Sequence, residues 1–154
     1  MTMRYSECSS GRVFVLRLEE GEILHEKIES FAAVHNIDAA TVVAVGGADK
    51  GSKLVVGPQT PVSSPVVPLI HELDAPHELT GTGTIFLNSE GIPVMHMHCS
   101  CGRDGGSVTG CVRAGVKVWL VMEAVITELT GCKARRLKDR GSGFELMVPD
   151  AGAE

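Results

Sequence analysis

The stretch Val94-Met95-His96-Met97-His98-Cys99-Ser100-Cys101 concentrates the side chains of this sequence that bind metals or act as nucleophiles. In a β-strand, side chains alternate between faces, so His96 and His98 share one face about 6.6–6.8 Å apart along the chain, and both imidazoles can converge on one ion. Met95, Met97 and Cys99 then point the other way, and Cys101 joins Cys99 if the strand continues. The string His-x-His-Cys-x-Cys is therefore expected to split across two faces rather than form one four-ligand cage. The best candidate for a third ligand is Cys111, because the turn through Gly102-Arg103-Asp104-Gly105-Gly106 lets Ser107–Val112 fold back beside Pro93–Cys99. Two imidazoles and a thiolate suit Zn²⁺ or a similar borderline-soft ion, and three protein ligands leave one position open, as in a catalytic or ligand-binding centre. Arg113, two residues beyond Cys111, is placed to hold an anionic ligand. The competing reading is a strand that buries His and Cys without any ion, which is common in protein cores.

These residues need a scaffold, and the hydrophobic pattern supplies one. Arg12–Leu18 alternates as a strand, Glu19–Glu22 is an acidic turn, and Ile23 to about Asn36 places Leu24, Ile28, Phe31 and Ala32 at helical spacing, with Glu22, Glu26 and Glu29 outward. By the same spacing His35 belongs to the buried stripe. Thr41–Gly46 and Ser52–Gly57 read as a hairpin across Gly46–Gly51, after which Pro58, Pro61, Pro65 and Pro68 mark a loop or an edge crossing. The second half reads as consecutive strands: Leu79–Asn88, Pro93–Cys99, Ser107–Val112, Lys117–Leu129, Ala134–Lys138 and Phe144–Val148. One early helix followed by many strands favours an α+β domain with a central, largely antiparallel β-sheet and one main helix packed on it. The expected organisation is an N-terminal arm at 1–10, one domain at 11–148 and a tail at 149–154.

Composition narrows the function classes. A chain of 154 residues is the usual size of one domain, and 21% charged with 44% hydrophobic residues does not fit disorder. Six aromatics leave the core to Val, Ile, Leu and Ala. A net charge of -5 opposes broad nucleic-acid binding. No signal-like or membrane-spanning apolar segment is found, so a soluble cytoplasmic protein without a membrane partner is expected, and its five cysteines are expected to be reduced thiols.

Gly11–Glu22, Phe31 through Val45-Gly46-Gly47-Ala48, Glu78-Leu-Thr-Gly-Thr-Gly-Thr-Ile85, Gly91 to His96-Met-His98, Asp104-Gly105 to Gly110-Cys111-Val112, and Glu123-Ala-Val-Ile126, in this order, resemble the plants and prokaryotes conserved (PPC) domain. The resemblance spans about residues 11 to 148. It implies an α+β fold with an antiparallel sheet, a homotrimer, and a metal site, commonly zinc, built from the His-x-His pair and a third His that follows a Gly. His96 and His98 fall on the first two positions, and Cys111 stands where the third His is expected. The family's fold is also similar to that of acetolactate decarboxylase, which uses a three-His zinc with nearby Glu and Arg. By that analogy Glu78, Glu123 and Arg113 are candidates for acid, base or anion holder; for Glu123 a plain strand-edge carboxylate is the preferred reading.

Family members are often described as DNA-binding, and plant members carry an AT-hook, but no Arg-Gly-Arg-Pro hook occurs here. The one basic cluster is Lys133-Ala-Arg135-Arg136-Leu-Lys138-Asp-Arg140, read first as a solvated strand face and second as a docking patch for DNA or protein. The leading expectation is a cytoplasmic, trimeric PPC-domain protein that binds zinc through His96, His98 and Cys111, with a regulatory or DNA-associated role by resemblance only. The alternative is a zinc-dependent small-molecule enzyme of lyase or hydrolase type that works at the open coordination position, with Arg113 or Glu78 touching an anionic ligand.

Overall fold

Among the described residues, eight strands pair into one sheet in which every neighbouring pair is antiparallel, and a single α-helix packs on its inner face. The computed structural model describes residues 3–60 and 66–150. In chain order the elements are β1 (Ser9–Glu19), α1 (Leu24–Val34), β2 (Ala39–Ala48), β3 (Lys53–Pro58), β4 (Pro68–Glu72), β5 (His77–Leu87), β6 (Pro93–Arg103), β7 (Gly106–Cys111), a 3₁₀ turn (Val112–Ala114), β8 (Val118–Thr130), β9 (Arg135–Lys138) and β10 (Glu145–Val148). The order across the sheet is β1-β8-β2-β5-β6-β7-β3-β4, and β9 pairs with β10 separately. The expected α+β class is therefore what the chain forms. No helix among the described residues is long and apolar enough to cross a membrane.

The helix begins where the sequence pattern places it, although Ile23 offers no side-chain cap; instead the Leu24 N–H donates to Val116 O at 2.9 Å. It ends in a Schellman motif. Asn36 adopts φ 53°, its N–H donates to Ala33 O, and the Ile37 N–H reaches Ala32 O at 2.9 Å. Leu24, Ile28 and Ala32 are fully buried, and each of the two larger side chains contributes about 1.5–3 kcal/mol of hydrophobic stabilisation. His35 does not join that stripe: it caps the helix at the surface, with its ring 4.1 Å from that of Phe31.

Strand alternation then divides the sheet. Ala40, Val42 and Ala44 of β2, Leu79 and Ile85 of β5, Met95 to Cys101 at alternate positions of β6, and Met122, Ala124 and Ile126 of β8 form the inner core with α1. Their intervening neighbours, among them Val43, Val45, His96, His98 and Val125, face outward.

The expected hairpin between 41–46 and 52–57 does not form. Both edges of β2 are taken, by β8 and β5, and β3 instead pairs with β7 and β4. The link from Ala48 to Lys53 reaches at most about 17 Å in five steps. On a flat sheet, four strand spacings and seven residues of register would separate those ends by about 30 Å. The sheet must therefore roll toward a barrel, and the hydrogen bonds Asp49 N–H to Lys117 O and Lys53 N–H to Gly115 O, both 2.8 Å, close it at that point.

Pro68 opens the edge strand β4, consistent with the edge-crossing expectation, while Pro61 and Pro65 lie outside the described residues. The final two strands do not extend the main sheet. They form a hairpin over one end of its outer face, tied by a parallel bridge between Asn88 and Arg136 and a small cluster of Ala39, Phe86 and Ala134.

Candidate metal centre

Strand β6 carries the two histidines on its outer face, while Met95, Met97, Cys99 and Cys101 are buried inside. Strand β5 holds β6 at close range: Gly83 lies opposite Met97, and a Cβ there would sit 2.6 Å from His96 O. Across the other edge, His98 pairs directly with Cys111 of β7, and Cys111 in turn pairs with Val55 of β3. Gly110 permits that approach, since a Cβ would meet Val55 O at 2.7 Å.

Register thus brings the third candidate ligand, the Cys111 sulfur, beside the histidines. One ligand atom from each of His96, His98 and Cys111 lies within 4.8 Å of the others, and the two imidazoles stand nearly perpendicular with centroids 4.9 Å apart. Ligand atoms on a tetrahedral zinc would be about 3.3–3.6 Å apart, so modest side-chain rotation closes the set. The residues fit a zinc-like ion in donor chemistry as well as in spacing.

The inner thiols stay apart from this triad. Cys99 and Cys101 lie with their Sγ atoms 3.8 Å apart, and the hydrogen bond shared with Cys101, together with burial, pushes the Cys99 thiol up. The expected division of the His-x-His-Cys-x-Cys string between two faces is what the structure has.

The surroundings of the triad follow from where β7 stops. Beyond Cys111 the chain turns into the 3₁₀ segment, so among the described residues β6 from Pro93 to Met97 has no strand partner on that side. Its backbone groups need other partners. On that side Glu29 of α1 accepts the Met95 N–H at 2.8 Å and Arg113 donates to Met95 O at 2.7 Å. Over the β5–β6 pair, Arg136 donates from Nε to Val94 O at 3.0 Å. Arg136 also donates from Nη2 to Thr84 O and Thr84 Oγ1.

His96 is held below the ordinary imidazole range, first by desolvation, then by the positive charges of Arg136, His98 and Arg113. That favours the neutral, ligating form. A groove of about 290 Å³ opens between β3 and β7, with Val55 and Val56 on one wall and His98 and Cys111 on the other.

Arg113 reaches the site from the 3₁₀ turn rather than as the next outward residue of a strand. Glu78 is not brought to it. It is exposed on β5 four residues from Thr82, the partner of His98, which is about 13 Å of strand. Glu123 lies farther off, on β8 between Arg17 and Val45.

Sequence reasoning missed Glu29 and Arg136. Within the basic run from Lys133 to Arg140, which reads from sequence as a solvated face, Arg136 is only 3% exposed and turns inward beside the ring of Phe86. The one local signal was alternation, since Ala134 two residues earlier is also buried.

The sequence profile of the Plants and Prokaryotes Conserved (PCC) domain, the domain abbreviated PPC above, matches residues 5–130. A metal-containing protein of Archaeoglobus fulgidus is 26% identical, with a TM-score of 0.82, covering 95% of this chain and 99% of its own. A plant- and prokaryote-conserved protein of Pyrococcus horikoshii is 27% identical, with a TM-score of 0.81 and coverage of 95% and 97%. A protein of Bacteroides thetaiotaomicron named as a candidate DNA-binding protein shares the fold at 14% identity, with a TM-score of 0.75 and coverage of 93% and 98%. No protein of curated function matches the sequence.

Proposed function

This chain belongs to the Plants and Prokaryotes Conserved domain family, and from that premise we propose that it is a metal-binding member in which His96, His98 and Cys111 hold one zinc-like ion with a coordination position open. The observation that carries the reading is the convergence of three ligand atoms from two strands within 4.8 Å. The donor set supports zinc, because two imidazoles and a thiolate are ordinary zinc ligands. The metal in the name of the Archaeoglobus fulgidus relative agrees with it. The domain is assigned to 11–148, with 1–10 as an arm and 149–154 as a tail.

A homotrimer is part of the same reading. Val13, Val15, Val43, Val45 and Val125 form a contiguous exposed apolar patch across β1, β8 and β2, which an isolated subunit rarely leaves uncovered. A DNA-associated role gains less support. The net charge of -5 opposes it, and inward-turned Arg136 removes one of the five cations from the basic cluster. Small-molecule chemistry is the second reading, favoured by the groove that meets the centre at His98 and Cys111.

The test is metal analysis of protein purified without chelator. About one ion per chain is expected, lost in His96→Ala with the β-rich circular dichroism retained; metal-free wild type would refute the reading. Cys111→Ser should weaken binding more than Cys99→Ser, and equal effects would contradict a thiolate ligand on the outer face.

A further inference from the structure

Arg136 is a buried charge without a counter-charge. Among the described residues neither Arg136 nor Arg113 has a carboxylate within ion-pair distance, and Glu29 and Glu145 act on Arg136 only at longer range. The hydrogen bonds of Arg136 use Nε and Nη2, and that of Arg113 uses Nη2, so each planar fork keeps donors that no group among the described residues engages. Burying a guanidinium is costly unless an anion compensates it. Filling the centre sharpens the imbalance. A divalent ion, one thiolate, two guanidiniums and the Glu29 and Glu145 carboxylates leave a surplus of one positive charge around an open position.

We propose that this centre takes a small organic carboxylate, with one oxygen on the open position of the ion, Arg113 and Arg136 neutralising its charge, and its short apolar chain in the groove beside Val55 and Val56. The proposal rests on the metal reading above and adds the class of ligand. A carboxylate is favoured over inorganic phosphate because the β3 side of the groove is Val55, Val56 and Gly57, which stabilise a hydrocarbon chain, and Thr109 is the one lining hydroxyl that could serve further anionic oxygens. The planar guanidinium fork matches a carboxylate. The two arginines lie on the His96 side and the valines on the His98 and Cys111 side, so an acid bound at the ion has each end beside matching chemistry.

The experiment uses whole protein loaded with Co²⁺, whose visible spectrum reports on the coordination sphere. Cobalt content is measured first, then butyrate, its neutral isostere butyramide and inorganic phosphate are titrated separately. Butyrate should change the spectrum saturably, and butyramide should not at the same concentrations. Arg113→Met, an exposed position that spares the buried Arg136, should need at least tenfold more butyrate at unchanged cobalt content. A cobalt-loaded protein that ignores butyrate, responds equally to butyramide, or keeps its butyrate affinity in Arg113→Met overturns the proposal and leaves the metal reading standing. Phosphate binding as tightly as butyrate overturns the organic-acid assignment. If Arg113→Met alters the assembly size while wild type ignores butyrate, the guanidiniums pair with a second copy and the proposal fails. Absence of bound cobalt refutes the metal reading and this proposal with it.

Discussion

Arg12 and Glu128 illustrate how much a single exposed-looking pair can organise. The guanidinium holds both carboxylate oxygens at 2.7 Å, the Arg12 N–H adds a third bond to Oε2, and Nη2 also reaches His35 O at the end of α1. Hydrogen bonding to Arg12 brings the Glu128 carboxyl down to about 2 from the ordinary 4.5. A carboxyl with a depressed folded-state pKa stabilises the fold fully above its unfolded value and loses that contribution as pH falls. The stability gap between wild type and Glu128→Gln should therefore be constant above about pH 5 and shrink steadily toward pH 2, as read by urea unfolding at stepped pH. A gap that does not change between pH 6 and 2.5 would assign the effect to something other than this charge. Period-two alternation made the outward pair His96 and His98 legible at this scale. For Arg136 it gave only a shared face with Ala134 and not what buries the side chain, because Thr84 and Val94 lie far away in sequence.

At the scale of elements, the centre depends on where strands end and how closely they approach. Strand β7 ends at Cys111 while β6 continues, and that mismatch is why Arg113 and Glu29 reach Met95 beside His96, whereas Arg136 arrives from the β9 hairpin over the β5–β6 pair. Gly110 sets the approach of β3. An added Cβ would meet Val55 O at 2.7 Å and Leu54 Cβ at 3.0 Å, so backbone must move. Gly110→Ala is expected to lower stability by about 1–3 kcal/mol and to reduce metal content several-fold by displacing Cys111. Gly102→Ala is the control, since nothing there comes nearer than 3.8 Å. Metal analysis and urea midpoints on both variants decide the matter, and similar behaviour of the two would remove Gly110 from the account. Element types were legible because periodicity is local. The hairpin expected between β2 and β3 failed because a turn signal says only that the chain bends, whereas partner choice depends on which edges other strands already occupy.

For the whole molecule, the row Val15, Val125 and Val43 runs in register across three strands, with Val15 81% and Val43 55% exposed. The proposed homotrimer would cover these side chains and would carry three times the charge of -5. Sedimentation equilibrium should give about three times the 16.3 kDa of one chain, and the double variant Val15→Glu, Val43→Glu should fall to one chain's mass with its circular dichroism unchanged. Those positions are exposed in the single chain, so the substitutions test association rather than folding. Wild type already at 16.3 kDa would refute the assembly.

The amino-acid order by itself determined the helix, the strand faces and the ligand types, because these follow from side-chain periodicity and chemistry within a few residues. It also carried the family, through motifs kept in order along most of the chain. Only the tertiary structure decided that Cys111 lies opposite His98, that Arg136 is buried beside them and that Glu78 is not. Those outcomes depend on strand order and register, which are set by contacts between distant segments competing for the same sheet edges.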